Sequence, residues 1–233
     1  NDPYGTTIHD EDFDAIVVGS DQIWRSYFFH LYFGEMPDAF LRFTNGWNIK
    51  RIAYAPSFGV EKWEYSEAET EECKKYITQM DAVSCREIEG VNMCKEYLDC
   101  DTVKHVLDPT MLLTKADYQK FVTVSKEKTG KLLVYVMDAN NDKQSLVDTI
   151  AKERSLTPAS IYQAGVASPP SVEFWLQQFE DAECVVTDSF HACVFSVIFG
   201  KEFIVYANKN RGLSRFTSLL KMFGLEDRLV FNA

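Results

Sequence analysis

The chain has 233 residues, enough for one large domain or two small ones, and 46% of them are hydrophobic, which is enough to bury a core. Lys and Arg number 24 against 35 Asp and Glu, so the formal net charge is −11 at pH 7. An acidic chain of this kind lacks the basic face that binds nucleic acid, although a few placed cations still suffice for a small anionic substrate. The longest apolar run, Ala192 to Gly200, is far shorter than the roughly 18 residues of a membrane span.

In the first half of the chain, short apolar runs alternate with amphipathic ones. The first run, 13–18, is rich in β-branched residues and ends at Gly19, which predicts a buried strand. Ser66 and Glu69 form a capping box, which predicts the start of a helix. Further strands are predicted at 52–55, 82–84 and 105–107, and helices at 66–80, at 91–98 and from 114.

After the charged segment 125–130 the alternation begins again. The run 190–199 is apolar nearly all round, which predicts a helix buried between layers. Strands alternating with helices of this length favour parallel sheets covered by helices. We therefore expect an α/β protein of two Rossmann-like lobes, 1–125 and 131–233, facing across a cleft. The predicted strands of the second half are 132–136, 160–163, 184–187 and 202–206, and its helices are 143–154, 172–179, 190–199 and 215–222.

The six cysteines show neither a CxxC pair nor the spacing of metal ligands. We interpret them as reduced thiols and expect no metal site. The polar start of the chain has neither the charge nor the apolar stretch of a signal peptide, so a cytoplasmic location is predicted.

In open α/β sheets, ligands bind beyond the carboxyl ends of the strands, so polar residues just after predicted strands are the candidates for a site. The segment 187–191 is the sharpest signal, because a strand there runs directly into a helix whose free N–H groups and positive end bind anions. The alternative is that Asp188 or Ser189 caps this helix and that His191 is a core histidine. The candidate residues after the strands are Ser20, Asp21, Gln22, Ser57, Arg86, Asp188, Ser189 and His191.

Two of these positions, and one neighbouring ring, each allow a functional and a structural interpretation. The guanidinium fork of Arg86 suits a phosphate or carboxylate, or an ion pair with Glu87 or another acid. Asp21 fits a general base or a turn residue. Trp24 is the one tryptophan that we expect to stack on a sugar, although most tryptophans belong to the core.

A basic cluster stands out later in this acidic chain. Lys209, Arg211 and Arg215 either form a second anion site over the helix that begins near Ser214 or lie in a solvated loop. The dinucleotide fingerprint GxGxxG, the phosphate loop GxxxxGK[ST] and the nucleophile elbow GxSxG do not occur. Nicotinamide enzymes, P-loop NTPases and the corresponding serine hydrolases are therefore disfavoured.

Five segments in this order resemble the polysaccharide pyruvyl transferase family, over about residues 13–225. The usual opening strand–helix unit of that family is missing, so we expect the first lobe to lack it. The segments are Val18-Gly19-Ser20-Asp21-Gln22-Ile23-Trp24, Tyr54-Ala55-Pro56-Ser57-Phe58-Gly59, Val83-Ser84-Cys85-Arg86-Glu87, Val106-Leu107-Asp108-Pro109-Thr110 and Thr187-Asp188-Ser189-Phe190-His191-Ala192.

The resemblance implies two lobes arranged as in two-lobed glycosyltransferases, and transfer of pyruvate from phosphoenolpyruvate to a sugar as a ketal. It matches the family's donor-binding arginine to Arg86 and the family's histidine to His191. On the chemistry of the reaction, His191 is our candidate acid or phosphate-binding group. Asp21 is our candidate base on the chemistry of the reaction. Phosphoenolpyruvate is then a substrate, and no cofactor or metal is expected. Ser20, Gln22, Ser57, Asp188, Ser189 and Arg211 are the predicted substrate-binding residues.

The expected acceptor is a sugar of a surface polysaccharide or its lipid-linked precursor, reached at the inner face of the membrane. A homodimer is a further expected partner, and nucleic acid is not. Two alternatives stay open, namely a glycosyltransferase that uses a nucleotide-sugar donor and a non-catalytic protein that binds a phosphorylated glycan.

Overall fold

The computed structural model describes residues 8–124, 129–161, 170–207 and 212–231. The chain divides into two compact units, Asn1–Pro109 and Thr110–Ala233, called unit 1 and unit 2 below. Each unit contains one sheet whose paired strands are all parallel, with helices interleaved between the strands along the chain. The predicted α/β class is therefore confirmed.

Unit 1 has a four-stranded sheet in which strand order follows chain order. In the register of the sheet, Val18 of the first strand is opposite Ala53 of the second strand. Ala53 is in turn opposite Val83 of the third strand. Because right-handed crossovers that always step in one direction place their helices on one face, the core forms on that face. The strands are β1 (Ala15–Val18), β2 (Lys50–Ala53), β3 (Ala82–Cys85) and β4 (Lys104–His105), and the helices are α1 (Ser26–Tyr32), α2 (Glu67–Ile77) and α3 (Ile88–Tyr97).

Trp24 lies at the centre of the unit 1 core. Its ring is fully buried and stacks on Phe40 with centroids 4.7 Å apart, and its Nε1–H donates to the carbonyl of Ala39 at 3.1 Å. The prediction that Trp24 stacks on a sugar is therefore wrong. The short 3₁₀ segment Met36–Phe40, which the sequence analysis did not predict, supplies Ala39 and Phe40, and the ring of Phe58 is a further neighbour at 5.3 Å.

Unit 2 has a five-stranded sheet in the order β6-β5-β7-β8-β9. This is the doubly wound order 2-1-3-4-5, in which the direction of winding reverses between β5 and β7. Ligands of such sheets bind beyond the carboxyl ends of the two strands at the reversal. The strands are β5 (Lys131–Tyr135), β6 (Thr157–Ser160), β7 (Cys184–Thr187), β8 (Glu202–Tyr206) and β9 (Leu229–Val230), and the helices are α4 (Lys115–Tyr118), α5 (Asn141–Arg154), α6 (Val172–Asp181), α7 (Phe190–Phe199) and α8 (Ser214–Phe223).

Residues 110–124 pack with unit 2. The ring of Tyr118 on α4 lies 5.0 Å from that of Phe195 and 6.3 Å from that of Phe199, both on the apolar helix α7. The ammonium of Lys115 also donates to the carbonyl of Phe199 at 3.2 Å. The structure thus divides at Pro109, whereas the sequence analysis placed the division at the charged segment 125–130.

Strand β6 lies about three residues before its predicted position. Its register is set by β5, since Leu132 is opposite Pro158 and Val134 is opposite Ser160. A proline is tolerated there because, among the described strands, β6 pairs only with β5 and is an edge strand. Helix α1 and strand β9 were not predicted. Among the described residues, no helix is long and apolar enough to cross a bilayer.

Candidate functional site

In unit 1, the loop that follows β1 is tied to the loop that follows β2. The amide of Ser57 donates to the carbonyl of Asp21 at 2.7 Å, and the amide of Trp24 donates to the carbonyl of Ser57 at 3.2 Å. Gly19 is required at the start of this loop, because a Cβ there would lie 2.1 Å from the carbonyl oxygen of Tyr54. The close approach brings the ends of both strands to one edge of the sheet.

Arg86 follows β3 at the same edge and is almost fully buried. Its Nη1 donates to Asp108 at 2.7 Å and its Nη2 donates to Asp21 at 2.9 Å. The two acids differ sharply, because the Asp108 side chain is 0% exposed and that of Asp21 is 62% exposed. The sequence analysis allowed an ion pair between Arg86 and an acid; both acids come from other strand ends. Tertiary contact thus assembles Asp21, Arg86 and Asp108 into one cluster, called the arginine cluster below.

Glu87, next to Arg86 in the chain, serves a different purpose. Its Oε1 accepts hydrogen bonds from the Ser57 hydroxyl at 2.9 Å and from the amides of Phe58 and Gly59 at 2.8 and 3.2 Å. Glu87 and Ser57 are both fully buried. The sequence analysis considered Glu87 only as an ion-pair partner of Arg86 and did not predict its contacts with the 57–59 loop. Glu87 holds the 57–59 loop against the end of β3.

The remaining residues predicted after β1 lie on the same turn. Ser20 and Gln22 are half-buried, and the Gln22 Oε1 accepts a hydrogen bond from Arg25 Nη1 at 3.1 Å. A Cβ on Gly59 would lie 2.0 Å from that same oxygen, so the Gln22 side chain packs directly on the 57–59 loop. Unit 1 therefore brings Ser20, Asp21, Gln22, Ser57 and Arg86 to one sheet edge.

In unit 2, Asp188 links the two strand ends at the point where the winding of the sheet reverses. Its carboxylate accepts hydrogen bonds from the amides of Met137 and Asp138, beyond the end of β5, at 2.7 and 3.0 Å. It also pairs with the ammonium of Lys143 at 2.6 Å, and both side chains are buried. The Asp188 carboxylate thus provides the negative charge that these two amides and the Lys143 ammonium bind, and it connects the ends of β5 and β7.

Lys143 is a further residue that the sequence analysis missed. Besides Asp188, its ammonium donates to the carbonyl of Asp138 at 2.7 Å and lies 5.5 Å above the ring of Tyr206. The signal was its spacing, since Lys143 precedes the buried Val147 and Ile150 of α5 by four and seven residues and so lies on the buried face. A lysine on the buried face of a helix needs a buried acceptor or an opposite charge for its ammonium.

Ser189 and His191 lie where β7 turns into α7. The hydroxyl of Ser189 accepts the amide of Ala192 at 3.5 Å, and the amide of Ser189 donates to the hydroxyl of Thr187 at 2.9 Å. Ser189 is thus the N-cap of α7, as one of the two interpretations of the sequence required. His191 is in the first turn of α7 and is partly exposed, so it is not sealed inside the core.

The first turn of α8 lies beside that of α7. The guanidinium carbon of Arg215 is 5.4 Å from the ring centroid of Phe190, and the ring of Phe216 is 5.9 Å from the same ring.

Burial on α7 raises the pKa of the Cys193 thiol to about 12, so Cys193 acts as a small apolar core residue. Lys209 and Arg211 lie outside the described residues.

All six cysteines are free thiols. Within the described ranges, no group of three or more His, Cys, Asp or Glu side chains is arranged to hold a metal ion. Within unit 1 the candidate groups are those of the arginine cluster, and within unit 2 they are those in the first turns of α7 and α8.

Comparison with known proteins gives one family and one fold. A family model described as polysaccharide pyruvyl transferase matches residues 2–210. Among solved structures, a functionally uncharacterised protein of Klebsiella pneumoniae subsp. pneumoniae is similar, with a TM-score of 0.56 and 14% identity over 94% of this chain and 75% of that one. No curated protein sequence matches. The structural likeness supports the fold alone.

Proposed function

Because the chain belongs to the polysaccharide pyruvyl transferase family, we propose that it transfers pyruvate from phosphoenolpyruvate to a pair of hydroxyls on a sugar of a surface polysaccharide or its precursor. The observation that carries the proposal is the family match over residues 2–210, a range that contains Asp21, Arg86 and His191. The geometry within each unit supports it, since both units present groups suited to an anionic donor.

The reaction sets clear demands on the protein. A proton added to the methylene carbon of phosphoenolpyruvate makes C2 electrophilic. One sugar hydroxyl then attacks C2 and loses its proton to a base, inorganic phosphate leaves, and a second hydroxyl closes the ketal. The protein must bind a carboxylate and a phosphate, supply one proton and accept others.

We assign Arg86 to the carboxylate of the donor. Its Nη1 stays with the buried Asp108, while its Nη2 faces the largely exposed Asp21. A carboxylate of the donor replaces Asp21 at Nη2 without leaving a buried charge unpaired, because Asp108 continues to hold the guanidinium. Asp21, released from the guanidinium, is then the base that accepts a proton from the sugar hydroxyl.

We assign His191 and the N-terminus of α7 to the phosphate and to protonation. Histidine is the side chain that most readily exchanges protons near neutral pH, and free N–H groups at a helix N-terminus favour a phosphate. Asp188 contributes by holding the β5 and β7 loops in place. This replaces the expected direct contact of Asp188 with substrate, because its carboxylate is already used by two amides and Lys143.

The test combines binding and turnover. Phosphoenolpyruvate at about 100 times its dissociation constant should stabilise the native chain by roughly 2.7 kcal/mol, visible as a raised unfolding temperature. Arg86→Lys keeps the charge but loses the two parallel N–H donors of the guanidinium, and His191→Asn removes the imidazole. Both variants should lose phosphate release in the presence of acceptor sugar. The matched control is Arg42→Lys, because the native Arg42 pairs with exposed acids on the surface of unit 1. This variant should behave as the native chain.

The outcomes separate the rival functions. Stabilisation by a nucleoside diphosphate but not by phosphoenolpyruvate would replace the proposal with a nucleotide-sugar glycosyltransferase. Tight binding of a phosphorylated sugar with no phosphate release from phosphoenolpyruvate would favour a non-catalytic binding protein.

A further inference from the structure

Arg25 is a half-buried arginine that follows the β1 loop and forms no ion pair among the described residues. Its Nη1 donates to the neutral Gln22 Oε1 at 3.1 Å, and its guanidinium carbon lies 4.9 Å from the centroid of the Phe28 ring. Its Nε is buried and makes no hydrogen bond. Buried cations are normally paired, and this chain has 35 acids for 24 Lys and Arg, so the position calls for an explanation.

Helix α1 presents a face of large apolar side chains to solvent. Tyr27, Leu31 and Tyr32 are 63%, 57% and 68% exposed, whereas Phe29 is buried in the core of unit 1. Because residues three and four apart are neighbours on a helix, Tyr27 lies beside Leu31 and Phe28 lies beside Tyr32. Contiguous exposed apolar side chains of this kind mark a binding surface. The four residues Tyr27, Phe28, Leu31 and Tyr32 are called the aromatic face below.

The charges around the aromatic face favour a ligand with one negative charge. The segment 22–34 contains no acidic residue, and its cationic or titratable side chains are Arg25 and His30. His30 Nε2 already contacts the Glu69 carboxylate at 2.6 Å, so the charge that lacks an acidic partner is that of Arg25. A guanidinium binds a carboxylate through two parallel hydrogen bonds, and one carboxylate balances one guanidinium.

The aromatic rings select the kind of molecule that carries this carboxylate. Aromatic side chains offer a large apolar surface on which the C–H groups of a sugar ring pack. Phosphoenolpyruvate has no ring to cover such a face. An anionic membrane surface attracts clusters of four to eight Lys or Arg, whereas this segment has one arginine in a chain of formal net charge −11.

We propose that Arg25 and the aromatic face bind a sugar that carries a carboxylate, within the acceptor glycan. The inference rests on the proposed function for the role of the glycan as acceptor, while glycan binding is testable by itself. The hydrogen bond from Arg25 to Gln22, whose side chain packs on the 57–59 loop, connects this surface to the candidate site of unit 1. The acceptor then belongs to a chemical class, namely acidic glycans that contain a hexuronic acid.

Calorimetric titration of the whole chain with two probes tests the site. One probe is a hexasaccharide that contains glucuronic acid, and the other is the same hexasaccharide after reduction of its carboxyl groups to alcohols. The native chain should bind the acidic probe roughly tenfold more tightly or better, the scale of hydrogen bonds to a charged group. Arg25→Gln should lose this preference. Tyr32→Ser should weaken both probes to a similar extent, because both keep the sugar rings that pack on the tyrosine.

The matched controls are exposed residues of unit 2. Arg154→Gln removes an arginine that pairs with the exposed Glu202, and Phe174→Ser removes a ring of α6 that is 50% exposed. Both variants should bind the two probes as the native chain does. Tyr32→Ser changes an exposed side chain and should keep the native unfolding temperature, so it tests the surface even if Arg25→Gln does not fold.

No binding of the acidic probe by the native chain, or an unchanged preference in Arg25→Gln, would overturn the site. Loss of phosphoenolpyruvate affinity in Arg25→Gln would also overturn it and give Arg25 to the donor. Binding to phosphatidylglycerol vesicles, or self-association in sedimentation, that Tyr32→Ser abolishes would assign the aromatic face to a lipid surface or to a second copy instead. The two proposals fail separately, since Arg25-dependent binding of the acidic probe without phosphoenolpyruvate binding supports the site and contradicts the transferase.

Discussion

Replacing Asp188 with Asn should destabilise unit 2 more than any surface substitution. The Asn keeps the shape of the side chain but removes the charge that the buried Lys143 ammonium contacts at 2.6 Å. Its amide NH₂ would also face donors, since the amides of Met137 and Asp138 both donate to the carboxylate. The substitution therefore leaves a buried cation and at least one amide without a suitable acceptor.

The size of the loss follows from these contacts. Removing one partner of a buried ion pair costs about 3–5 kcal/mol, against a total stability of about 5–15 kcal/mol for a typical protein. Lys143→Met should cost less, because Asp188 retains its two amide donors. The double variant should lose less than the sum of the two single losses, since the second substitution removes a group that the first has already left unpaired.

Urea unfolding followed by circular dichroism measures these losses. Hydrogen exchange at Met137 and Asp138 gives a local readout, and both amides should exchange faster in Asp188→Asn. Asp148→Asn is the control, because Asp148 is exposed on α5 and accepts a surface hydrogen bond from Gln144. It should stay within about 0.5 kcal/mol of the native chain. A loss below about 1 kcal/mol for Asp188→Asn, or additive losses in the double variant, would refute the reasoning.

Three further predictions concern other buried groups. Trp24→Ala should cost about 3–5 kcal/mol in urea unfolding because it empties the centre of the unit 1 core, whereas Trp47→Ala, at a partly exposed ring, should cost clearly less. Glu87→Gln should increase hydrogen exchange at Phe58, whose amide donates to the lost carboxylate; unchanged exchange would contradict the assigned role. Burial raises the pKa of Cys193 from 9.0 to about 12, so its contribution to stability is complete below pH 9 and is lost as pH rises towards 12. Cys193→Ala should therefore show a shallower loss of stability over that interval, and an unaltered slope would contradict this.

Local pattern was enough to predict most of the secondary structure. Strands β7 and β8 and helix α7 have the bounds predicted from their apolar runs, because a fully buried strand or helix carries a continuous hydrophobic signal. The capping box of Ser66 and Glu69 forms at the start of α2, since it depends only on neighbours in the chain. Helix α1 and strand β9 escaped prediction because α1 is rich in aromatic residues and β9 has only two residues.

The partners of the buried charges depend on tertiary structure. The sequence placed Arg86 and Asp188 at strand ends, which is a local property, but their partners Asp108 and Lys143 are separated from them by 22 and 45 residues. The sequence around Trp24 does not distinguish a ring that binds a sugar from a ring in the core. Its stacking on Phe40, 16 residues further along the chain, shows that Trp24 belongs to the core. Local propensity and hydrophobic period specify which segments are strands and helices and which residues follow them. Which side chains meet at the sheet edge depends on strand order and register, because contacts between residues far apart in the chain form only when the sheets assemble.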